Sequence, residues 1–131
     1  MKNIAINNRS FKLYIKTECW TTPRAKTNID FILIDEQTDQ ICATARIRMF
    51  ENEIPILCAL FVQEDFRDMG LGRYMQLIRE HHCLHQLNSK FARLYARKDS
   101  WMRKWYERRD YKPQATKHEN PDLIWMLKHL T

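Results

Sequence analysis

A chain of 131 residues, 44% of them hydrophobic, can bury one core and is too short for two, so a single domain over residues 1–131 is expected. Lys and Arg outnumber Asp and Glu by 22 to 16, giving a formal charge of +6, which favours anionic partners (coenzymes, nucleic acid, acidic protein surfaces) without choosing among them. The longest apolar run, Ile56 to Val62, is too short to span a bilayer, no charged leader with a cleavage site stands at the start, and Cys19, Cys42, Cys58 and Cys83 form no C-x-x-C pair. These features predict a soluble, cytoplasmic protein with reduced thiols and no disulfide framework.

The folded unit is expected to run from about Arg9 to His129. Phe11, Leu13 and Ile15 alternate with Lys12, Tyr14 and Lys16, as a half-buried strand does. Asn28 to Asp35 is apolar on both faces at its centre and predicts an inner strand, followed by a turn at Gln37-Thr38-Asp39. From Ile41 to Met49 the odd positions are apolar, which is the clearest period-two pattern in the chain. Pro55 then opens a fourth strand, Ile56 to Val62. Leu71, Met75, Ile78 and His82 recur at helical spacing and predict an amphipathic helix from about Gly70 to Leu87. Phe91 to Arg97 is strand-like again, and Asp99 or Ser100 can cap a short helix carrying Trp101, Trp105 and Tyr106. Asp110 to Pro113 ends that helix and begins an extended piece, and Leu123 to Leu127 reads as a last strand. The layout is α+β, or mixed α/β.

The only two glycines, Gly70 and Gly72, sit between the fourth strand and the long helix. Glycine weakens regular structure and is used where a Cβ would obstruct a turn or a close ligand. A strand, a glycine turn and a helix N-terminus together present free N–H groups and a positive dipole end to an anion, most often a phosphate. Two phosphate motifs are excluded: no Gly-Lys-Ser/Thr follows, and the third glycine of the dinucleotide fingerprint falls at Met75.

Val62 to Gly72, read as V-x-x-x-x-R-x-x-G-x-G, resembles the acetyl-CoA signature of the GNAT N-acetyltransferases at every defined position. Trp105-Tyr106-Glu107-Arg108-Arg109-Asp110-Tyr111-Lys112-Pro113 is similar to that family's second motif, F-Y-E-x-x-G-F-x-P, and follows in the right order. The resemblance covers roughly residues 28 to 128. It implies a GNAT-like fold, a central, mostly antiparallel sheet of about seven strands with one splayed pair and two main helices. It implies acetyl-CoA as cosubstrate and no metal. The residues it assigns to acetyl-CoA are the main chain of Leu60, Phe61 and Val62, the loop Arg67, Asp68, Met69, Gly70, Leu71, Gly72 and Arg73, and Asp99 where relatives often place Asn. Tyr106 matches the tyrosine that many relatives use to protonate the departing thiolate, a task that suits a phenol of pKa ~10. Without the resemblance the same tyrosine reads as a core aromatic beside Trp101 and Trp105.

The sequence departs from the family in several places. Asp110 replaces the usual turn glycine, and Ile56 and Leu94 stand where some relatives carry a catalytic Glu, so no general base is assigned; Glu51, Glu53, Glu64 and a water chain stay open. Relatives place one or two helices between the first two strands, whereas only Thr17 to Thr27, with Pro23 and no helical period, is available here. An acceptor site without that wall is expected to be shallow and suited to a protein lysine or N-terminus. A non-catalytic acyl-CoA-binding or partner-binding module, and acetylation of an RNA-linked amine such as aminoacyl-tRNA, are the competing readings, and a homodimer is left open. His81 and His85 lie one helical turn apart and are a candidate zinc pair, but no second ligand pair stands elsewhere in the sequence and no metal is expected.

Overall fold

The computed structural model describes residues 1–21 and 24–131. Among them the sheet has eight strands in the order β1-β2-β3-β4-β5-β6-β8-β7. The strands are β1 (Lys2–Ile6), β2 (Arg9–Trp20), β3 (Lys26–Asp35), β4 (Ile41–Phe50), β5 (Ile56–Val62), β6 (Phe91–Arg97), β7 (Lys112–Lys117) and β8 (Leu123–His129), and the helices are α1 (Leu71–His85) and α2 (Trp101–Glu107). The α+β class and the mostly antiparallel sheet agree with expectation. The sheet has eight strands where about seven are expected, and the folded unit starts before Arg9. The added strand is β1, which pairs antiparallel with β2 across a two-residue turn at Asn7 and Asn8, both with positive φ (51° and 63°). Asn-Asn supplies the left-handed backbone a tight hairpin needs, a signal as readable as the Gly pair.

β2 and β3 form a long hairpin, paired from Phe11↔Asp35 to Trp20↔Lys26. Thr17 and its successors continue the strand, so no helix stands between these strands among the described residues; Pro23 lies outside them.

One face of the sheet is the core. Phe11, Leu13, Ile29, Phe31, Leu33, Ala43, Ala45, Ile47, Leu57, Ala92, Leu94 and Met126 are buried there, with Leu71, Met75 and Cys83 of α1 packed against them. The buried side of α1 differs from the apolar stripe expected of it. Gln76, Arg79 and Glu80 are buried too, joined to Tyr111 and Lys128 in a polar network. Such a network is stable only because each group finds a partner. The Tyr111 hydroxyl donates to Glu80 Oε2 at 2.8 Å and accepts from Gln76 Nε2 at 2.9 Å, and Lys128 Nζ lies 2.9 Å from Glu80 Oε1. The opposite face of the sheet is far less covered: in rows such as Tyr14–Ile32–Thr44 and Lys16–Asp30–Arg46 no residue is buried.

The cysteines are all free. Cys42 and Cys83 are buried, Cys58 is half-buried, and Cys19 is exposed at the end of β2.

Candidate active site

β5 and β6 run parallel but share a single bridge, Ile56↔Arg93, closed by Arg93 N–H to Pro55 O at 3.0 Å. Beyond it the two strands separate. The cause lies on β5. Cys58 pairs with Arg46 and Phe61 with Thr44, so Ala59 and Leu60 together oppose Ala45 alone, and Ala59 takes φ 54°. This bulge bends β5 away from β6 and leaves the inner edge of β5 without a ladder partner. Arg79 props the bend from beneath: its guanidinium donates to the carbonyls of Arg46 (3.2 Å) and Cys58 (3.1 Å) and to Gln76 Oε1 (2.6 Å).

After β5 the chain makes a 3-10 turn, Glu64–Phe66, whose Phe66 is buried, and reaches Gly70 at φ 82°. That left-handed backbone is ordinary for glycine and strained for other residues. Gly70 caps α1 with no side-chain hydrogen bond, so the N–H groups of Leu71, Gly72 and Arg73 in the first turn have no partner along the helix. Gly72 is different. Its φ is not positive, and a Cβ there would meet only Val62 Cγ2 at 3.9 Å, an ordinary contact. The fold therefore has room for a side chain at Gly72, and the empty space opens onto the groove. A cradle of free N–H groups that a Cβ would partly fill fits a pyrophosphate bound at a helix N-terminus.

The groove encloses about 500 Å³ between β5, this loop and α2. Of the residues assigned from sequence, Leu60, Phe61, Val62, Arg67, Asp68, Gly70, Leu71, Gly72 and Arg73 line it. Arg67 Nε also donates to Val62 O at 3.1 Å, so that carbonyl is already engaged. Met69 lies in the loop but faces a hollow on the other side, against the β1–β2 turn, where Asn7 Nδ2 donates to its carbonyl at 2.7 Å. Asp99 lies in a separate surface hollow with Lys98 and Arg103, while its neighbour Ser100 caps α2 by accepting from Arg103 N–H at 3.2 Å.

Phe66, Trp101, Met102, Trp105 and Arg109 also line the groove and were not assigned to it from sequence. Trp101 and Trp105 were legible as helix aromatics, and their spacing of four puts them on one side of α2. Arg109 is held over the Trp105 ring at 3.5 Å and donates to Trp105 O at 3.0 Å. Burial, and then the like charges of Arg73 and Arg108, push its pKa down. Arg67, Arg73 and Arg109 thus place three guanidinium-bearing residues on the groove lining.

Tyr106 is not one of the residues that line the groove. It is 8% exposed and packs edge-on against Tyr111 and Trp105. Burial raises its pKa, and the nearby Arg79 charge opposes that rise. Its hydroxyl makes no hydrogen bond among the described residues, and Cys58 and Arg79 are among its near neighbours. A protonated phenol with a spare donor therefore stands close to where β5 bends from β6. Among the candidate bases, Glu53 pairs with Arg24, and Glu51 and Glu64 are exposed.

His81 and His85 stack with ring centroids 4.3 Å apart, and no group of three or more metal-type ligands occurs among the described residues. No helix of the structure is long and apolar enough to cross a membrane.

No protein-family model and no curated protein matches the sequence. Solved structures do match. A GNAT family acetyltransferase from Elizabethkingia anophelis with acetyl-CoA bound superposes with a TM-score of 0.68 at 11% identity, over 92% of this chain and 98% of its own. Escherichia coli ElaA gives 0.64 at 19% identity over 78% of this chain and 68% of its own, and the Thermoplasma acidophilum PaiA N-acetyltransferase in complex with coenzyme A gives 0.65 at 14% identity over 78% and 60%. The chain thus has the GNAT acyl-CoA N-acetyltransferase fold over most of its length.

Proposed function

We propose that this protein is an acetyl-CoA-dependent N-acetyltransferase that acetylates a primary amine on a protein. The observation that carries the reading is the groove itself: unpartnered N–H groups at the start of α1, a glycine at position 72 that packing does not require, and an unpaired strand edge leading from it to Tyr106. When bound, acetyl-CoA would supply a thioester carbonyl to an attacking amine, with CoA as the thiolate leaving group. The helix N-terminus and the cations of Arg73 and Arg109 favour the phosphates. The freed N–H groups on the inner edge of β5, at Val62 or its neighbour, are the candidates to stabilise an oxyanion. Tyr106 Oη gives its proton to the departing sulfur, the attacking amine loses its own to solvent, and the phenolate regains a proton from solvent before the next turnover. The phenol holds its proton at neutral pH, and the Arg79 charge, which opposes the rise that burial causes, favours release of that proton to the sulfur.

Two measurements test the reading. Titration calorimetry should give binding of acetyl-CoA and CoA, and absence of binding at millimolar concentration by folded protein rejects it. Thiol release in the presence of a lysate acceptor separates an enzyme from a passive acyl-CoA-binding module.

A further inference from the structure

The sheet face opposite α1 carries two arginines at the mouth of the β5–β6 gap. Arg48, Ile56 and Arg93 are register neighbours on adjacent strands, and their flanking residues Ile47, Leu57 and Leu94 point into the core, so all three share the open face. Two strand spacings put the arginine backbones roughly 10 Å apart with Ile56 between them. Each side chain leans outward. Arg48 Nε donates to Asn28 Oδ1 at 3.2 Å; Arg93 Nε donates to Gln114 Oε1 at 2.9 Å, with its guanidinium over the Trp125 ring at 3.7 Å. Neither makes an ion pair among the described residues, whereas Arg46, Arg9 and Arg24 on the same sheet and its loops are each matched to a carboxylate. Burial lowers the pKa of Arg93, with Glu53 the one acidic neighbour that opposes the shift. The terminal nitrogens of both guanidinium groups thus remain free, anchored in direction by neutral partners.

Building on the proposed acetyl transfer, we infer that the acceptor is a lysine in an acidic segment, with carboxylates on both sides of it bound by Arg48 and Arg93. Cys58 lies two residues beyond Ile56 on β5, about 7 Å along the strand, where the gap opens. A lysine entering there places neighbouring residues of an extended peptide over Ile56, within reach of the two forks. Guanidinium groups favour carboxylates in paired, planar geometry. A nucleic acid fits this face less well. The row runs Glu18–Asn28–Arg48–Ile56–Arg93, with Glu51 and Glu53 in the β4–β5 loop, so the cationic stretch is confined to the two arginines and is too short to follow a run of phosphates.

The test uses a short fluorescein-labelled peptide with one lysine flanked by Glu on both sides, and its counterpart with Gln in place of Glu. Anisotropy is read at low salt with and without CoA, so that the comparison stands even if CoA does not bind. The Glu peptide should bind at least tenfold tighter. Arg48→Gln with Arg93→Gln should bring both peptides to the same affinity, leave calorimetric CoA binding unchanged, and recover part of the preference as the Arg→Lys pair. Equal binding of the two peptides by the parent, binding of neither, or a preference retained in the Gln double variant overturns the assignment. So does a single-stranded RNA of similar length that displaces the Glu peptide and depends on the same arginines. Loss of CoA binding with the peptide preference intact strikes the acetyl-transfer reading and leaves this one standing.

Discussion

Gly72 separates function from packing more cleanly than any other residue in the groove. It sits in the first turn of α1, where glycine costs roughly 1 kcal/mol relative to alanine, and its missing Cβ fills no crowded space. Gly72→Ala should therefore fold with an unfolding midpoint equal to or above the parent's. Calorimetry should nevertheless give at least about tenfold weaker acetyl-CoA binding, a loss of roughly 1.4 kcal/mol. Undiminished affinity in a folded Gly72→Ala protein rules out the phosphate cradle. Gly70 answers to backbone geometry instead, so Gly70→Ala should lower stability by about 1 kcal/mol. Tyr106→Phe removes a hydroxyl that makes no hydrogen bond among the described residues. Turnover should fall by about 100-fold or more while the melting temperature and acetyl-CoA affinity hold, and unchanged kcat removes Tyr106 from the chemistry.

At the scale of elements, the bulge in β5 and the buried arginine beneath it act together. Arg79 is 1% exposed, burial depresses its pKa, and no carboxylate pairs with it among the described residues. A buried cation without a counter-charge is expensive to keep. It donates to one carbonyl on each side of the bulge, Arg46 O on β4 and Cys58 O on β5. Arg79→Met relieves the buried charge and strands those carbonyls, two effects of opposite sign on stability. Its net change in melting temperature should be small beside its effect on the rate, with kcat lowered by tenfold or more. A variant that keeps full kcat frees the bulge from any role in positioning. This arrangement is not legible in the helical period, because Gln76, Arg79 and Glu80 lie outside the stripe Leu71, Met75, Ile78 and His82. Only the packing of β4, β5 and the α2–β7 segment over α1 turns them inward.

Across the whole molecule, the β1–β2 hairpin and the β3–β4 turn are tied together by Asp35, which is fully buried. The Arg9 guanidinium and Thr38 hold its carboxyl well below the usual carboxylate range. A depressed folded pKa contributes stability that is present above the unfolded value of about 3.9 and is lost as pH falls through it toward the folded value. Asp35→Asn should therefore melt roughly 5 °C or more below the parent at pH 7, and the gap should narrow progressively below about pH 5. A gap of constant size from pH 7 to pH 2.5 removes the ion pair as its cause. Thiol labelling offers a second check on the whole fold. Burial pushes Cys83 up to about 12 and Cys42 to about 11, so both should react with a disulfide reagent only on unfolding, while exposed Cys19 reacts at once.

Much of the strand order was legible because alternation and turn residues are local properties: Ile56–Val62 and Phe91–Arg97 appear with the bounds their sequences predict. The loop from Arg67 to Arg73 was legible for the same reason, since two glycines in an otherwise glycine-free chain mark the one place where backbone must come close to something. β1 escaped notice because its five residues, Lys-Asn-Ile-Ala-Ile, are too few to show a period without the partner strand. The groove wall from α2, the separation of Asp99 from it, the inward turn of Arg79 and the outward forks of Arg48 and Arg93 were decided by tertiary structure alone. Each depends on which residues meet across strands and layers far apart in the chain, and no local pattern of side chains encodes that distance.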